Sequence, residues 1–253
     1  AGVSAGAFLG IGGGMALNDW IDRDFDRKSG RHKNEHYDYK SRFTKLRPLV
    51  EGTVSDTEAL LLIFICILGA IVIASAAPKP RNYYIFIAIA YFVIAEWAYQ
   101  KVRRRYPIGH PIIASIFGLW PVVGYIAVTE PSVTIVILFS IAFFWELCHN
   151  QGADIVDLPN DKIRGLKTPP IVFGLKFTTQ FMLLCSILTA IGSLILFFVA
   201  NLGPIYLIGA LLSGAILIKA NYDLVKQPTP TMGLKEFTIA KKYVVILFIA
   251  IAI

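Results

Sequence analysis

Eight stretches of apolar residues, each long enough to cross a membrane, make up most of this chain and constrain its fold more than any other feature. They are residues 1–17, 57–77, 83–100, 110–128, 132–153, 177–200, 203–222 and 238–253. A helix of about 20 apolar residues spans the hydrocarbon core of a bilayer, and no stretch alternates polar and apolar residues as a barrel strand would. Hydrophobic residues form 56% of the chain and the mean hydropathy is +0.63, which excludes an ordinary soluble domain. We therefore expect an all-α, multi-pass integral membrane protein.

The basic residues lie almost entirely in alternate connections between the apolar stretches. These connections fall within residues 23–47, 101–105, 162–176 and 226–235, whereas the opposite connections hold only Lys79 and Arg81. Short cytoplasmic loops carry the excess of Lys and Arg, so the basic connections are predicted to face the cytoplasm. Anionic lipid and an anionic substrate account for the formal net charge of +7, and no nucleic-acid partner is expected.

Two acidic clusters with the same internal spacing lie at the ends of apolar stretches. Their carboxylates follow each other at i, i+3 and i+7, which places them on one face of a helix: Asp19, Asp22 and Asp26 in the first cluster, and Asp154, Asp157 and Asp161 in the second. Burying a carboxylate next to a membrane is costly unless a cation compensates its charge. Mg²⁺ prefers oxygen ligands and is commonly completed by phosphate oxygens, so we predict that these six carboxylates hold Mg²⁺ with a diphosphate. Asp24 lies off the shared face and is expected to be solvated.

Polar residues near the two clusters allow alternative interpretations. Asn18 precedes the first carboxylate and Asn150 lies one turn before Asp154, so each either assists metal and diphosphate binding or caps local backbone. Glu146 and His149 lie deeper in the same apolar stretch. An ionisable group at that depth is a functional candidate, but a hydrogen bond to a neighbouring helix explains it equally well.

Cationic residues beside the clusters are candidates for holding a diphosphate. The candidates are Arg23, Arg47, Lys101, Arg104 and Arg105. Guanidinium groups bind phosphate oxygens through two hydrogen bonds at once, although the basic bias of cytoplasmic loops explains some of these residues by itself. Tyr99 ends the third apolar stretch, where its ring would either stabilise a developing carbocation or anchor the helix at the membrane surface. Trp97 is interpreted as an anchor.

Five sequence elements, in order from about residue 10 to residue 175, resemble the UbiA superfamily of intramembrane prenyltransferases. Residues 18–26 are similar to its NDxxDxxxD motif, and residues 154–161 to its second motif, DxxDxxxD. Residues 47–52 match an RPxxxG element. Residues 99–105 resemble YSxxxKR, with Gln100 in place of Ser, and residues 165–174 resemble the segment after the second motif.

The resemblance implies a single domain over residues 1–253, a bundle of about nine transmembrane helices around a central cavity open to the cytoplasm. The first motif would end the second family helix, so the first family helix is expected to precede residue 1. The implied reaction is a Mg²⁺-dependent transfer from an isoprenyl diphosphate to an aromatic or lipid acceptor in the membrane. The resemblance implies that the central metal ligands are Asp19, Asp22, Asp154 and Asp157, with Asp26 and Asp161 in support. It also implies that the diphosphate is contacted by Arg23, Arg47, Arg104 and Arg105. Tyr99 would stabilise the cation.

The sequence departs from the family pattern in two places. The segment 27–46 is longer and more charged than the usual connection, and Gln100 with the arginines that follow alters the phosphate-facing element.

The alternative function is a divalent-cation or proton-coupled transporter. A transporter would carry ionisable groups toward both faces of the membrane, whereas the face opposite the clusters has very few ionisable residues here. The residues do not identify the acceptor or the length of the prenyl chain.

Overall fold

The computed structural model describes residues 2–29, 48–102, 106–163 and 165–252, which form helices and turns without a strand. Eight helices are long and two have a single turn. In chain order they are α1 (Gly2–Ser29), α2 (Pro48–Glu51), α3 (Asp56–Ser75), α4 (Arg81–Val102), α5 (Gly109–Val128), α6 (Thr134–Ile163), α7 (Pro169–Val172), α8 (Gly174–Val199), α9 (Pro204–Lys226) and α10 (Pro230–Ala252). Each predicted apolar stretch falls on one long helix, so the all-α prediction is confirmed.

Six of the described helices are long and apolar enough to cross a membrane. They are α3, α4, α5, α8, α9 and the part of α6 over Thr134–Pro159. The other two long helices are less uniformly apolar, because α1 is rich in glycine and ends in charged residues, and α10 contains three lysines and Glu236.

Local signals in the sequence explain where several helices begin. Ser55 precedes α3 and forms a capping box with Glu58: the Ser55 hydroxyl accepts from the Glu58 amide at 3.2 Å, and the Glu58 carboxylate accepts from the Ser55 amide at 2.8 Å. A proline opens α7, α9 and α10, where a missing amide hydrogen costs no helical hydrogen bond.

The first of two compact units comprises residues 1–101 with 126–129. Within it, α1 packs along α3 through small residues. A Cβ atom added at Gly13 would lie 2.9 Å from Cys66 Cβ, and one at Gly69 would lie 2.8 Å from Leu9 Cδ1. Glycine at these positions lets the helix backbones approach closely, as is common between membrane helices. This packing supports the C-terminal turns of α1, which carry the first acidic cluster.

The second unit comprises residues 102–125 and 130–253, and it contains the second acidic cluster on α6. Buried apolar side chains from several of its helices pack below that cluster: Ala114, Leu147, Cys148, Ile155, Met182, Cys185 and Leu224. On α10, a Cβ atom added at Gly233 would lie 3.0 Å from Ile155 Cγ2 and 3.3 Å from the Gly152 carbonyl oxygen. Helix α10 thus approaches α6 closely just before Asp154. The single-domain organisation expected for residues 1–253 stays a prediction.

Candidate active site

The first acidic cluster occupies the last turns of α1. Asp22 and Asp26 are buried, with exposed fractions of 3% and 2%, and Asp19 is half-buried. The Asp24 side chain is 66% exposed, as expected for a residue off the shared face. Two buried carboxylates one turn apart repel each other, so this helix face favours a cation.

Arg23 lies beside this cluster and already contacts an acidic residue. Its Nε atom is 2.9 Å from Asp56 Oδ1 at the start of α3. Its Nη1 atom donates to the Trp20 carbonyl at 2.6 Å, and the guanidinium lies 4.7 Å from the Trp20 ring centroid. The sequence placed Arg23 among the diphosphate ligands but did not single out Asp56, which holds the guanidinium near the acidic face.

The one-turn helix α2 belongs to the RPxxxG element. Arg27 on α1 donates from Nη2 to the Leu49 carbonyl at 3.2 Å, which ties α2 to α1. The chain then turns back, and the Thr53 amide donates to the Pro48 carbonyl at 3.0 Å. Gly52 has a φ of +76°, a conformation that residues with a side chain rarely adopt, and this explains the glycine of the element. Arg47 lies outside the described residues.

At the end of α4, Tyr99 is buried and Lys101 is exposed. Tyr99 and Gln100 are buried, and the Gln100 side-chain amide donates to Glu96 Oε1 at 2.8 Å. Trp97 is 56% exposed, and Lys101 Nζ lies 5.8 Å from its ring centroid. This exposed pair supports the interpretation of Trp97 as an anchor. Arg104 and Arg105 lie outside the described residues.

The second acidic cluster lies in the last turns of α6, which remains helical through Pro159. Asp161 is buried, with 4% exposed, whereas Asp154 and Asp157 are half-buried. After the helix, the Leu166 amide donates to the Asp161 carbonyl at 3.0 Å, and Gly165 turns the chain with a φ of +67°. The three carboxylates share one face here as in α1.

His110 contacts the second cluster and was missed by the sequence analysis. It is the second residue of α5 and is 6% exposed, and its Nε2 atom lies 2.9 Å from Asp154 Oδ2. The two atoms are in close polar contact, although they do not meet at hydrogen-bonding angles. The signal that was overlooked is an ionisable residue at the start of the apolar stretch 110–128.

The polar residues deeper in α6 contact other partners. The Asn150 amide donates to Glu146 Oε1 at 3.3 Å, so in this state it bonds one turn away from Asp154. The His149 ring stacks between Trp145 and Phe237, with centroid distances of 4.8 and 4.2 Å. Glu146 thus bonds within its own helix, and His149 contributes to packing between α6 and α10.

A second polar group missed by the sequence analysis lies between α6, α9 and α10. Glu236 is fully buried, and its Oε1 atom accepts from Cys148 Sγ at 3.3 Å and from Asn221 Nδ2 at 3.2 Å. Its Oε2 atom contacts Gly152, where an added Cβ atom would collide with it. Buried hydrogen bonds between membrane helices fix their relative register, so this group supports the segment of α6 that leads to Asp154.

The donor atoms of both clusters suit Mg²⁺. They are carboxylate oxygens, and Mg²⁺ prefers oxygen ligands over nitrogen or sulfur. Asn18, which precedes Asp19 in the chain, is half-buried. Among the described residues, no three His, Cys, Asp or Glu side chains converge closely enough to hold a metal ion alone.

The described chain is thus a helical membrane protein in which two acidic clusters end apolar helices. It belongs to the UbiA prenyltransferase family, whose sequence profile matches residues 1–251. A protoheme IX farnesyltransferase of Thermus thermophilus is 28% identical over 99% of the chain, which covers 39% of that relative. Protoheme IX farnesyltransferase of Frankia casuarinae is 29% identical over 97% of the chain, which covers 82% of that relative. The chain therefore spans less than half of the Thermus relative and most of the Frankia one.

Solved structures confirm the fold. The apo structure of a UbiA homologue from Aeropyrum pernix K1 has a TM-score of 0.72 at 18% identity, covering 97% of this chain and 88% of that one. A UbiA homologue from Archaeoglobus fulgidus bound to DMAPP and Mg²⁺ has a TM-score of 0.60 at 19% identity, covering 98% of this chain and 88% of that one. The chain is therefore an all-α, multi-pass integral membrane protein, and the transporter alternative gains no support.

We predict that the Arg23–Asp56 pair is energetically weak. Both side chains are accessible to solvent, which screens their attraction, so a double-mutant cycle with Arg23→Gln and Asp56→Asn should give a coupling below about 1 kcal/mol. The coupling free energy would be obtained from unfolding of the four proteins in detergent. The same cycle on the exposed pair Lys219 and Asp223 serves as the reference for a weak ion pair. A coupling of several kcal/mol would show that Arg23 is committed to Asp56 and is not free to exchange it for phosphate.

Proposed function

We propose that this protein transfers an isoprenyl group from an isoprenyl diphosphate to an acceptor within the membrane and releases diphosphate. The observation that carries the proposal is the burial of Asp22, Asp26 and Asp161 in two matching clusters, each on one helix face. Such a set of oxygen donors is useful to an enzyme that handles a metal-bound diphosphate. The family assignment, the farnesyltransferase relatives and the DMAPP and Mg²⁺ in a structural neighbour support the same reaction.

In this proposal, all six clustered aspartates bind Mg²⁺, and Asn18 and Asn150 assist them once the substrate is present. When bound, Mg²⁺ neutralises the diphosphate and so makes it a better leaving group. Arg23 exchanges its contact with Asp56 for phosphate oxygens, which it can bind through two hydrogen bonds. The remaining cations proposed for the diphosphate are Lys101, Arg47, Arg104 and Arg105.

The donor and acceptor that we propose first are farnesyl diphosphate and protohaem. Both follow from the names of the Thermus and Frankia relatives, which match nearly the whole chain. An aromatic or lipid acceptor is the alternative within the same reaction class. Incubation with each donor and acceptor pair, followed by mass spectrometry of the products, would identify the acceptor from the added prenyl mass.

Replacing a clustered aspartate should abolish Mg²⁺-dependent turnover without unfolding the protein. We expect Asp19→Asn and Asp154→Asn each to lower diphosphate release by about 10²- to 10³-fold, because each removes charge that would balance the metal. Release from farnesyl diphosphate would be measured with and without Mg²⁺. Asp24→Asn is the matched control, since Asp24 belongs to the same segment but is exposed, and it should keep near-normal activity. Near-normal rates in both cluster variants would remove the metal assignment.

Tyr99 should contribute through its ring rather than through its hydroxyl. A ring face stabilises a nearby cation by about 0.5–2 kcal/mol, so Tyr99→Leu should lower kcat by about 2- to 30-fold while Tyr99→Phe stays close to wild type. Trp97→Leu on the exposed side of α4 is the control. If Tyr99→Phe lost as much activity as Tyr99→Leu, the hydroxyl would be the important group and the cation role would be wrong.

We infer from the distribution of basic residues that the acidic clusters face the cytoplasm. The native cysteines Cys66, Cys148 and Cys185 are buried, so an introduced exposed cysteine can be labelled selectively. In inside-out vesicles, a membrane-impermeant thiol reagent should modify Asp24→Cys but not Lys79→Cys, which lies in the opposite connection. The reverse labelling pattern would place the clusters on the other face.

A further inference from the structure

We propose that His110 is a positioning residue for the second acidic cluster, which orients the Asp154 carboxylate for metal binding. This inference rests on the proposed function, because it assigns Asp154 to the metal. Nothing in the motif pattern points to His110, since it lies 44 residues before Asp154 in the chain. The structure brings the two side chains together within the second unit.

The position of His110 is set by its surroundings. It follows Gly109, which is buried, and precedes Pro111, so it lies in the first turn of α5. One turn further along, Ile113 and Ala114 are buried and hold this end of the helix in the core. An imidazole confined in this way has little freedom to leave the carboxylate, and its Nε2 atom stays 2.9 Å from Asp154 Oδ2.

The contact gives the two carboxylate oxygens of Asp154 different surroundings. His110 lies against Oδ2, so Oδ1 is the oxygen that can turn toward a cation. A neighbour that occupies one oxygen limits rotation of the carboxylate and presents the other oxygen in a defined direction. Partners of this kind commonly account for about 10- to 100-fold in metal affinity or activity, and we expect an effect in that range here.

The two acidic clusters have different nitrogen-bearing side chains beside them. Next to the first cluster, the Arg23 guanidinium forms an ion pair with Asp56. Next to the second, the His110 imidazole contacts the cluster residue Asp154 directly. An imidazole can contact one carboxylate oxygen of Asp154 through a single nitrogen, so the other oxygen stays available to a divalent cation.

Three variants test the proposal. His110→Phe keeps a ring of similar size but removes the nitrogen, His110→Gln keeps an N–H at a similar reach, and Tyr243→Phe is the control. Tyr243 is buried in the same unit and bonds Ser193, so its variant loses a buried hydrogen bond that involves neither His110 nor Asp154. Thermal unfolding in detergent would first establish that all three proteins are folded.

The readout that does not depend on turnover is binding of Mn²⁺, measured by electron paramagnetic resonance in the presence of a non-reacting thiolo-diphosphate analogue of farnesyl diphosphate. We expect the Mn²⁺ dissociation constant to rise about 10- to 100-fold in His110→Phe, to recover largely in His110→Gln and to stay unchanged in Tyr243→Phe. In the turnover assay, the Mg²⁺ concentration for half-maximal rate should rise by the same factor, with most of kcat restored at saturating Mg²⁺.

Unchanged Mn²⁺ affinity in folded His110→Phe would overturn the proposal, and so would an equal loss in Tyr243→Phe, which would indicate a general effect of packing. If His110→Phe does not fold, the comparison of His110→Gln with His110→Asn decides, because the shorter amide should lose metal affinity and the longer one should not. If the wild-type protein binds Mn²⁺ but transfers no prenyl group, the proposed function fails while the role of His110 is still decided by binding.

Discussion

The burial of carboxylates at the ends of apolar helices is the constraint on which the rest of this structure depends. Asp22, Asp26 and Asp161 are nearly inaccessible to solvent, and an isolated carboxylate in such a place is strongly disfavoured. A divalent cation bound to each helix face, as proposed above, would offset this cost. The described neighbours contact other carboxylates: Arg23 near the first cluster pairs with Asp56, and His110 contacts Asp154 of the second cluster. The shared spacing places the carboxylates of each cluster on one helix face, which suits the metal-binding role that we propose for them.

The two clusters are supported by different kinds of packing. Helix α1 is held against α3 by small residues, with Gly13 at Cys66 and Gly69 at Leu9. Helix α6 is held by a buried polar group, in which Glu236 on α10 accepts from Cys148 and Asn221. In a bilayer, lipid is as apolar as the helix surface, so close contact and hydrogen bonds must supply the specificity that burial of apolar area supplies in water.

Several polar residues near the clusters contact their own or a neighbouring helix in the structure. His149 lies in an aromatic stack with Trp145 and Phe237, and Asn150 donates to Glu146 instead of turning toward Asp154. Where water is absent, a hydrogen bond within the protein satisfies a buried polar group, as Glu146 does for the Asn150 amide. The contact of His110 with Asp154 differs from these because it reaches a clustered aspartate directly.

The sequence alone determined the helical class, the number and approximate bounds of the long helices, the shared face of each acidic cluster and the family. The helices and the shared faces depend on hydropathy and on spacing along one helix, which are local properties of the sequence. The family was indicated by the resemblance of five motif elements along the chain. Tertiary structure decided that Asp56 holds Arg23, that His110 reaches Asp154 and that Glu236 meets Cys148 and Asn221. Each of these contacts joins residues on different helices. The periodicity of one helix shows which of its faces is apolar, but not which residues of a neighbouring helix that face contacts. The positive φ of Gly52 is likewise a property of the folded turn, although the glycine that permits it was visible in the RPxxxG element.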